Sequence, residues 1–132
     1  IKAVAHMPIM VTGGFRTKSG MEAALTQGHT DMIGLARPFC LVPDFPSQMF
    51  AGTLDRLPVS EDQLVLGRGY IGPNSSSATW RTLNNLGQAG WYYRQIERLA
   101  AGHAPDATPM PWRAMMAHLG KDFGRAVRRK LA

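Results

Sequence analysis

Gly13 and Gly14 follow the apolar run Pro8-Ile9-Met10-Val11-Thr12, and Arg37 follows a second run, Asp31-Met32-Ile33-Gly34-Leu35-Ala36. Those residue types in those places have the properties that binding a phosphate requires. Glycine admits backbone angles closed to other residues and puts no Cβ between a ligand and the main-chain N–H groups. Successive N–H groups in such a turn can converge on an anion, and a guanidinium adds a permanent charge with forked donors. Each signal alone has an ordinary explanation: a tight turn after a strand for the glycines, a surface ion pair for the arginine. Taken jointly, they sit at the carboxyl ends of two successive strands. Parallel α/β folds place ligands there, and β/α barrels build a phosphate site there from their seventh and eighth loops.

The elements that must position these residues alternate as a parallel sheet requires. Met7 to Thr12 is short and rich in Ile, Val and Met, which predicts a strand buried on both faces. Ser19 is the expected helix N-cap, with Glu22 three residues on completing a capping box and Gly28 ending the helix. Asp31 to Leu35 predicts the second strand, and Ile1 to His6 reads as the end of a helix leading into the first. Beyond Arg37 the prolines at 38, 43, 46 and 58 leave room only for short helices such as Ser47 to Ala51. Gly67 to Ser77 predicts an irregular loop, and Thr79 to Gly102 a helix interrupted at Gly87 or Gly90, with Trp91, Ile96 and Leu99 inward. After a Pro-rich hinge from Ala104 to Pro111, Trp112 to Leu131 reads as a basic amphipathic helix. Its apolar stripe is Met115, Met116, Leu119, Phe123 and Val127.

Length bounds the architecture. The chain has 132 residues, whereas a complete β/α barrel takes about 250. The expected fold class is therefore α/β: residues 1–58 as the last two βα units of a parallel (β/α)8 TIM barrel, strands 7 and 8 with their helices, and residues 59–132 as a helical carboxyl-terminal extension. A truncated product, a processed chain and an excised segment would all look this way. Two strands leave unpaired edges, so the isolated chain is expected to be marginally stable, mobile at its first strand and prone to self-association.

No run of 18 or more apolar residues and no leader pattern suggests membrane insertion or secretion. The single cysteine, Cys40, has no disulfide or metal-site partner, so the expected compartment is a reducing cytoplasm. The net charge of +6 is concentrated near the carboxyl terminus in Arg113, Lys121, Arg125, Arg128, Arg129 and Lys130. Such a cluster is either a solvated helix face or a contact for nucleic acid or an anionic surface. No aromatic platform is interleaved with it, so neither nucleic acid nor a membrane is expected as a partner.

Pro8-Ile9-Met10-Val11-Thr12-Gly13-Gly14-Phe15-Arg16, then Asp31-Met32-Ile33-Gly34-Leu35-Ala36-Arg37-Pro38-Phe39 and Pro43-Asp44-Phe45-Pro46, resembles the carboxyl-terminal end of the old yellow enzyme family of NADH:flavin oxidoreductases. Trp91-Tyr92-Tyr93-Arg94-Gln95-Ile96 is similar to the helix that closes many relatives, while the resemblance does not extend to the last thirty residues. The resemblance implies an FMN-bearing barrel in which the Gly13 and Gly14 amides and Arg37 hold the FMN phosphate, with Phe15 and Arg16 bordering the flavin or phosphate as lesser candidates. Ala36 departs from the glycine found there in many relatives. The resemblance further implies NAD(P)H as reductant and, as acceptor, a small molecule such as an unsaturated carbonyl compound, with a homo-oligomeric parent possible. The catalytic residues of such enzymes lie on earlier strands, so none is assigned here and this polypeptide alone is expected to be inactive. Having only Cys40 and ending about a hundred residues after Arg37, the chain resembles the shorter, single-domain branch that lacks an iron-sulfur motif.

Other motifs carry less. Gly67-Arg68-Gly69-Tyr70-Ile71-Gly72 fits G-x-G-x-x-G, but Pro73 and a serine run follow where a helix should begin, and no acidic residue stands about twenty positions on. His6, His29, His103 and His118 show no metal-ligand spacing, and Glu61-Asp62 reads as an exposed helix start with no acid–base partner.

Overall fold

The computed structural model describes residues 2–131, except the side chains at 3, 122, 126, 127, 128, 130 and 131. It divides into two compact units, residues 1–59 and 60–132. No helix among the described residues is long and apolar enough to cross a membrane.

The first unit runs from a 3-10 turn, Lys2–Val4, through β1 (Met10–Thr12), α1 (Lys18–Thr26) and β2 (Met32–Gly34) to a 3-10 turn at Arg37–Cys40 and α2 (Phe45–Phe50). β1 and β2 pair in parallel, with Met10 opposite Met32, Val11 opposite Ile33 and Thr12 opposite Gly34. Both strands are shorter than expected, and β1 is exposed along its whole length rather than buried on both faces. Met10 and Met32 are 58% and 59% exposed, in a sheet that has only two strands among the described residues. The core of the unit lies elsewhere, where Phe45, Met49 and Leu57 pack with Met21, Leu35, Val42 and Leu54.

The N-cap of α1 is Thr17 rather than Ser19. Its backbone is extended (φ −124°, ψ 144°) and its side chain accepts a hydrogen bond from the Gly20 N–H. Residues flanking Leu57 fix this start: Lys18 N–H donates to Asp55 O at 2.9 Å and Leu57 N–H to Arg16 O at 2.7 Å. A contact nearly forty residues away in sequence therefore decides which hydroxyl caps the helix. Gly28 ends α1 as expected, its N–H donating to Leu25 O and the His29 N–H to Ala24 O. The short helix after Arg37 begins at Phe45 instead of Ser47.

The second unit is helical. α3 (Ala78–Ala100) runs unbroken through Gly87 and Gly90, and α4 (Pro111–Leu131) packs along it. Neither glycine interrupts the helix, because each admits a neighbour. A Cβ at Gly90 would lie 2.9 Å from Ala114 O and 3.1 Å from Ala114 C, and one at Gly87 would lie 3.1 Å from Leu66 Cδ2. The buried residues of α3 are Asn84, Gly87, Gly90, Trp91, Tyr92 and Gln95; Trp91 is inside as expected, while Ile96, also expected inside, is 49% exposed.

The seam at Ala114 also sets the rotation of α4. Ala114 and Met115 are buried, but Met116, Leu119 and Phe123 of the expected inward stripe are 64%, 40% and 73% exposed. Val127, the last member of that stripe, and the side chains of Arg128 and Lys130 lie outside the described residues. The Pro-rich segment before α4 is strapped to α3: Trp91 Nε1 donates to Thr108 O, Asp106 N–H to Gln95 Oε1 and Arg98 Nε to Ala104 O.

The Gly/Ser-rich loop contains one 3-10 turn, Gly69–Ile71, and is otherwise irregular. Buried Asn84 anchors it, accepting from Leu66 N–H and donating to Ile71 O. Glu61-Asp62 begins a 3-10 turn, Glu61–Gln63.

Candidate functional site

The register determines what the strand ends can do. Thr12 opposite Gly34 is the last pair, so Gly13-Gly14 and Leu35-Ala36-Arg37 leave the sheet at the same end, from strands about 4.8 Å apart. The Gly13 N–H continues the ladder, donating to Gly34 O at 3.3 Å. Gly13 and Gly14 have φ of +100° and +80°, a region that excludes a β-branched or bulky residue. Both are exposed, and nothing lies within 4 Å of a Cβ built on either. The turn is therefore a backbone edge with open space before it.

On the second strand, Ala36 has a negative φ (φ −124°, ψ −66°), so the position is not in the left-handed region that favours glycine. Its carbonyl accepts from Phe39 N–H at 3.1 Å, starting the 3-10 turn that has Arg37 as first residue. Pro38 and Cys40 of that turn are buried, and the Phe39 ring lies 4.4 Å from that of Phe45. The exposed Arg37 side chain thus stands on an anchored turn. Burial raises the pKa of the Cys40 thiol, so it is a packing group rather than a nucleophile. Phe15 and Arg16 are half-buried, and Arg16 Nη1 donates to Phe15 O at 3.3 Å. Among the described residues no cluster of three or more His, Cys, Asp or Glu could hold a metal.

Three supports of this end escape a reading of the sequence. A Cβ at Gly34 would lie 2.1 Å from Thr12 Oγ1, so the Thr12 side chain occupies the space that glycine leaves. Thr30 is buried, with its hydroxyl 2.7 Å from Ile9 O and 2.9 Å from Met32 O. Asp31 accepts from Ile9 N–H at 2.8 Å and from Lys2 Nζ. The doublet Thr30-Asp31 before an apolar run is the one signal that could have revealed these contacts, and it reads equally well as a turn.

The Lys2 ammonium and the Ile9 N–H hold the Asp31 carboxyl below the ordinary aspartate range. A folded pKa below the unfolded one gives stability that is present above the unfolded value and lost as pH falls through the folded value. Asp31→Asn is therefore expected to flatten the acid limb of amide exchange protection at Met32 and Ile33, measured by hydrogen exchange between neutral and acid pH. Equal acid sensitivity in both proteins would contradict this role.

Together these features define an α/β protein whose parallel strand pair opens, at its carboxyl end, onto a glycine edge and an anchored arginine. Over about 40 residues the chain is similar to NADH-dependent flavin oxidoreductases, and that family is the one the matches support. It is 52% identical over 40 residues to the NADH-dependent flavin oxidoreductase iccE of Talaromyces variabilis, covering 30% of this chain and 10% of that protein. It is 44% identical over 43 residues to iliE of Neonectria sp. (strain DH2), covering 33% and 6%. To iliE of Hypocrea jecorina (strain QM6a) it is 42% identical over 40 residues, covering 30% and 10%. The matched stretch thus spans a tenth or less of these relatives. No family model and no solved structure matches the chain.

Proposed function

We propose that residues 1–58 are the last two strand–helix units of an FMN-dependent barrel of the old yellow enzyme type, and that this chain supplies its FMN phosphate site. The parallel register carries the proposal, since it brings the Gly14 amide and the Arg37 turn to one end of the sheet. The residues suit a phosphate: the glycine edge is open where a Cβ would block approach, and a guanidinium stands on the neighbouring strand's turn. In this assignment the Gly13 N–H closes the sheet, Gly14 offers a main-chain donor, Arg37 supplies charge and forked donors, and Ala36, Phe15 and Arg16 border the site. Bound flavin would relay a hydride from NADH to a small-molecule acceptor, an unsaturated carbonyl compound in our reading. This chain's share of that work is to anchor the cofactor's tail and so fix its ring. No catalytic role is assigned to any residue here, and we propose that the chain alone turns over no substrate. A nucleic-acid or anionic-surface role for α4 is the alternative reading and is not favoured, since the relatives that the chain matches are flavin oxidoreductases.

The test compares FMN with riboflavin, which lacks the phosphate, by equilibrium titration of the full chain. FMN is expected to bind more tightly. Arg37→Gln should weaken FMN by about tenfold or more, the worth of a charge-assisted hydrogen bond, and leave riboflavin unchanged. Equal binding of the two flavins would contradict the proposal.

A further inference from the structure

The rotation of α4 about its axis has an electrostatic consequence. With the apolar stripe outward, the helix turns basic side chains onto α3. The seam between the helices is a groove of about 270 Å³ lined by Arg94, Arg113 and Lys121, running into a second lobe of about 310 Å³ that adds Arg125. Among the described residues the lining carries these four cationic side chains and one carboxylate, Glu97, which pairs with Lys121. Asp106 reaches Arg94 from the strap at 3.6 Å. Between the lobes the Tyr93 and His118 rings lie nearly parallel, 5.0 Å apart. Close approach at Gly90 and Ala114 fixes the two helix backbones that carry these cations. Like charges held together in a concave, partly desolvated seam raise the local potential and favour an anion that bridges them.

We infer that the α3–α4 groove is a second anion site, for a phosphate-bearing ligand with at least two negative charges, bound chiefly through Arg113 with Lys121 and Arg94 beside it. It lies in the helical unit and is independent of the strand-end site. A guanidinium suits the ligand because its forked donors match two phosphate oxygens at once, and the exposed Tyr93 ring offers a stacking surface if the phosphate belongs to a nucleotide.

The test is a titration of the isotopically labelled full chain with inorganic pyrophosphate, and separately with ADP, in phosphate-free buffer at constant ionic strength. It is run on the natural sequence and on an Arg37→Ala background, which removes the strand-end cation. Saturable shifts of Tyr93, Arg113 and His118 resonances are expected on both. Arg113→Gln should weaken binding about tenfold, with Arg113→Lys recovering only the part that charge without the fork supplies, while the helical circular dichroism stays unchanged. Tighter binding of ADP would name a nucleotide as the source, and equal binding the free anion. Absence of saturable shifts, shifts confined to Gly14 and Ala36, or full affinity in Arg113→Gln would overturn the inference while leaving the strand-end reading untouched.

Discussion

Trp91→Ala is expected to unfold the helical unit. Trp91 is 1% exposed, packs edge-on against Tyr92 and donates its indole N–H to Thr108 O at 2.9 Å. Truncating a buried tryptophan costs about 3–5 kcal/mol through lost burial and the cavity left behind. A small domain is stable by only about 5–15 kcal/mol in total, and a unit of this size sits near the lower end. The same change frees the strap before α4, because the indole is one of the groups holding residues 104–110 to α3. Far-UV circular dichroism should therefore show loss of most of the α3 and α4 signal at 37 °C or a steep fall in Tm. A melt within a few degrees of the unchanged protein would mean that the α3–α4 packing does not depend on Trp91.

The second large effect is a contrast between two glycines of the same unit. Gly90→Val should push α4 off α3, since its Cβ alone would lie 2.9 Å from a backbone oxygen of Ala114 and 3.3 Å from His118 Cβ. Overpacking of this kind costs about 1–3 kcal/mol. Backbone on the opposite side leaves little to yield, so the upper part of that range is expected, and the groove between the helices should open with it. Gly120→Ala removes a glycine from the interior of α4 at a place where nothing lies within 4 Å of the new Cβ. There the helix propensity of alanine acts unopposed and should stabilise by up to about 1 kcal/mol. Parallel thermal melts of the two variants test the pair, and equal shifts of the same sign would contradict the packing described.

Gly87 and Gly90 also show where the sequence misleads. Periodicity located both long helices, but it assigned the inward face to the most apolar residues. In α3 the buried residues are Asn84, Gly87, Gly90, Trp91, Tyr92 and Gln95, two amides, two glycines and two aromatics. Backbone approach and hydrogen bonds chose that set, and no hydropathy pattern encodes them. In α4 the same approach turns Met116, Leu119 and Phe123 outward. A glycine inside a helix reads as a break when only local propensity is considered, and as a contact once a second helix is present.

The strand–helix–strand order of the first unit was legible because Pro, Gly and short apolar runs punctuate it densely. Its parallel pairing followed from the same order, since strands joined through a helix run the same way. The N-cap was not legible: Thr17 and Ser19 are both competent, and the pairing of residues 55–57 with 16–18 decided between them. The place of Gly13, Gly14 and Arg37 at the strand ends was legible. What the sequence could not supply was the support beneath them: Thr12 filling the space over Gly34, Thr30 and Asp31 tying Ile9, and buried Pro38 and Cys40 anchoring the Arg37 turn.

The proposal that two strand ends share one phosphate is tested most directly by mapping amide shifts on the labelled chain as FMN is added, with riboflavin as the control. The account predicts that the Gly14 N–H and the amides of Ala36 and Arg37 shift together, saturate at one common ligand concentration and stay still with riboflavin. Shifts at only one of the two strand ends, or identical shifts with riboflavin, would contradict it.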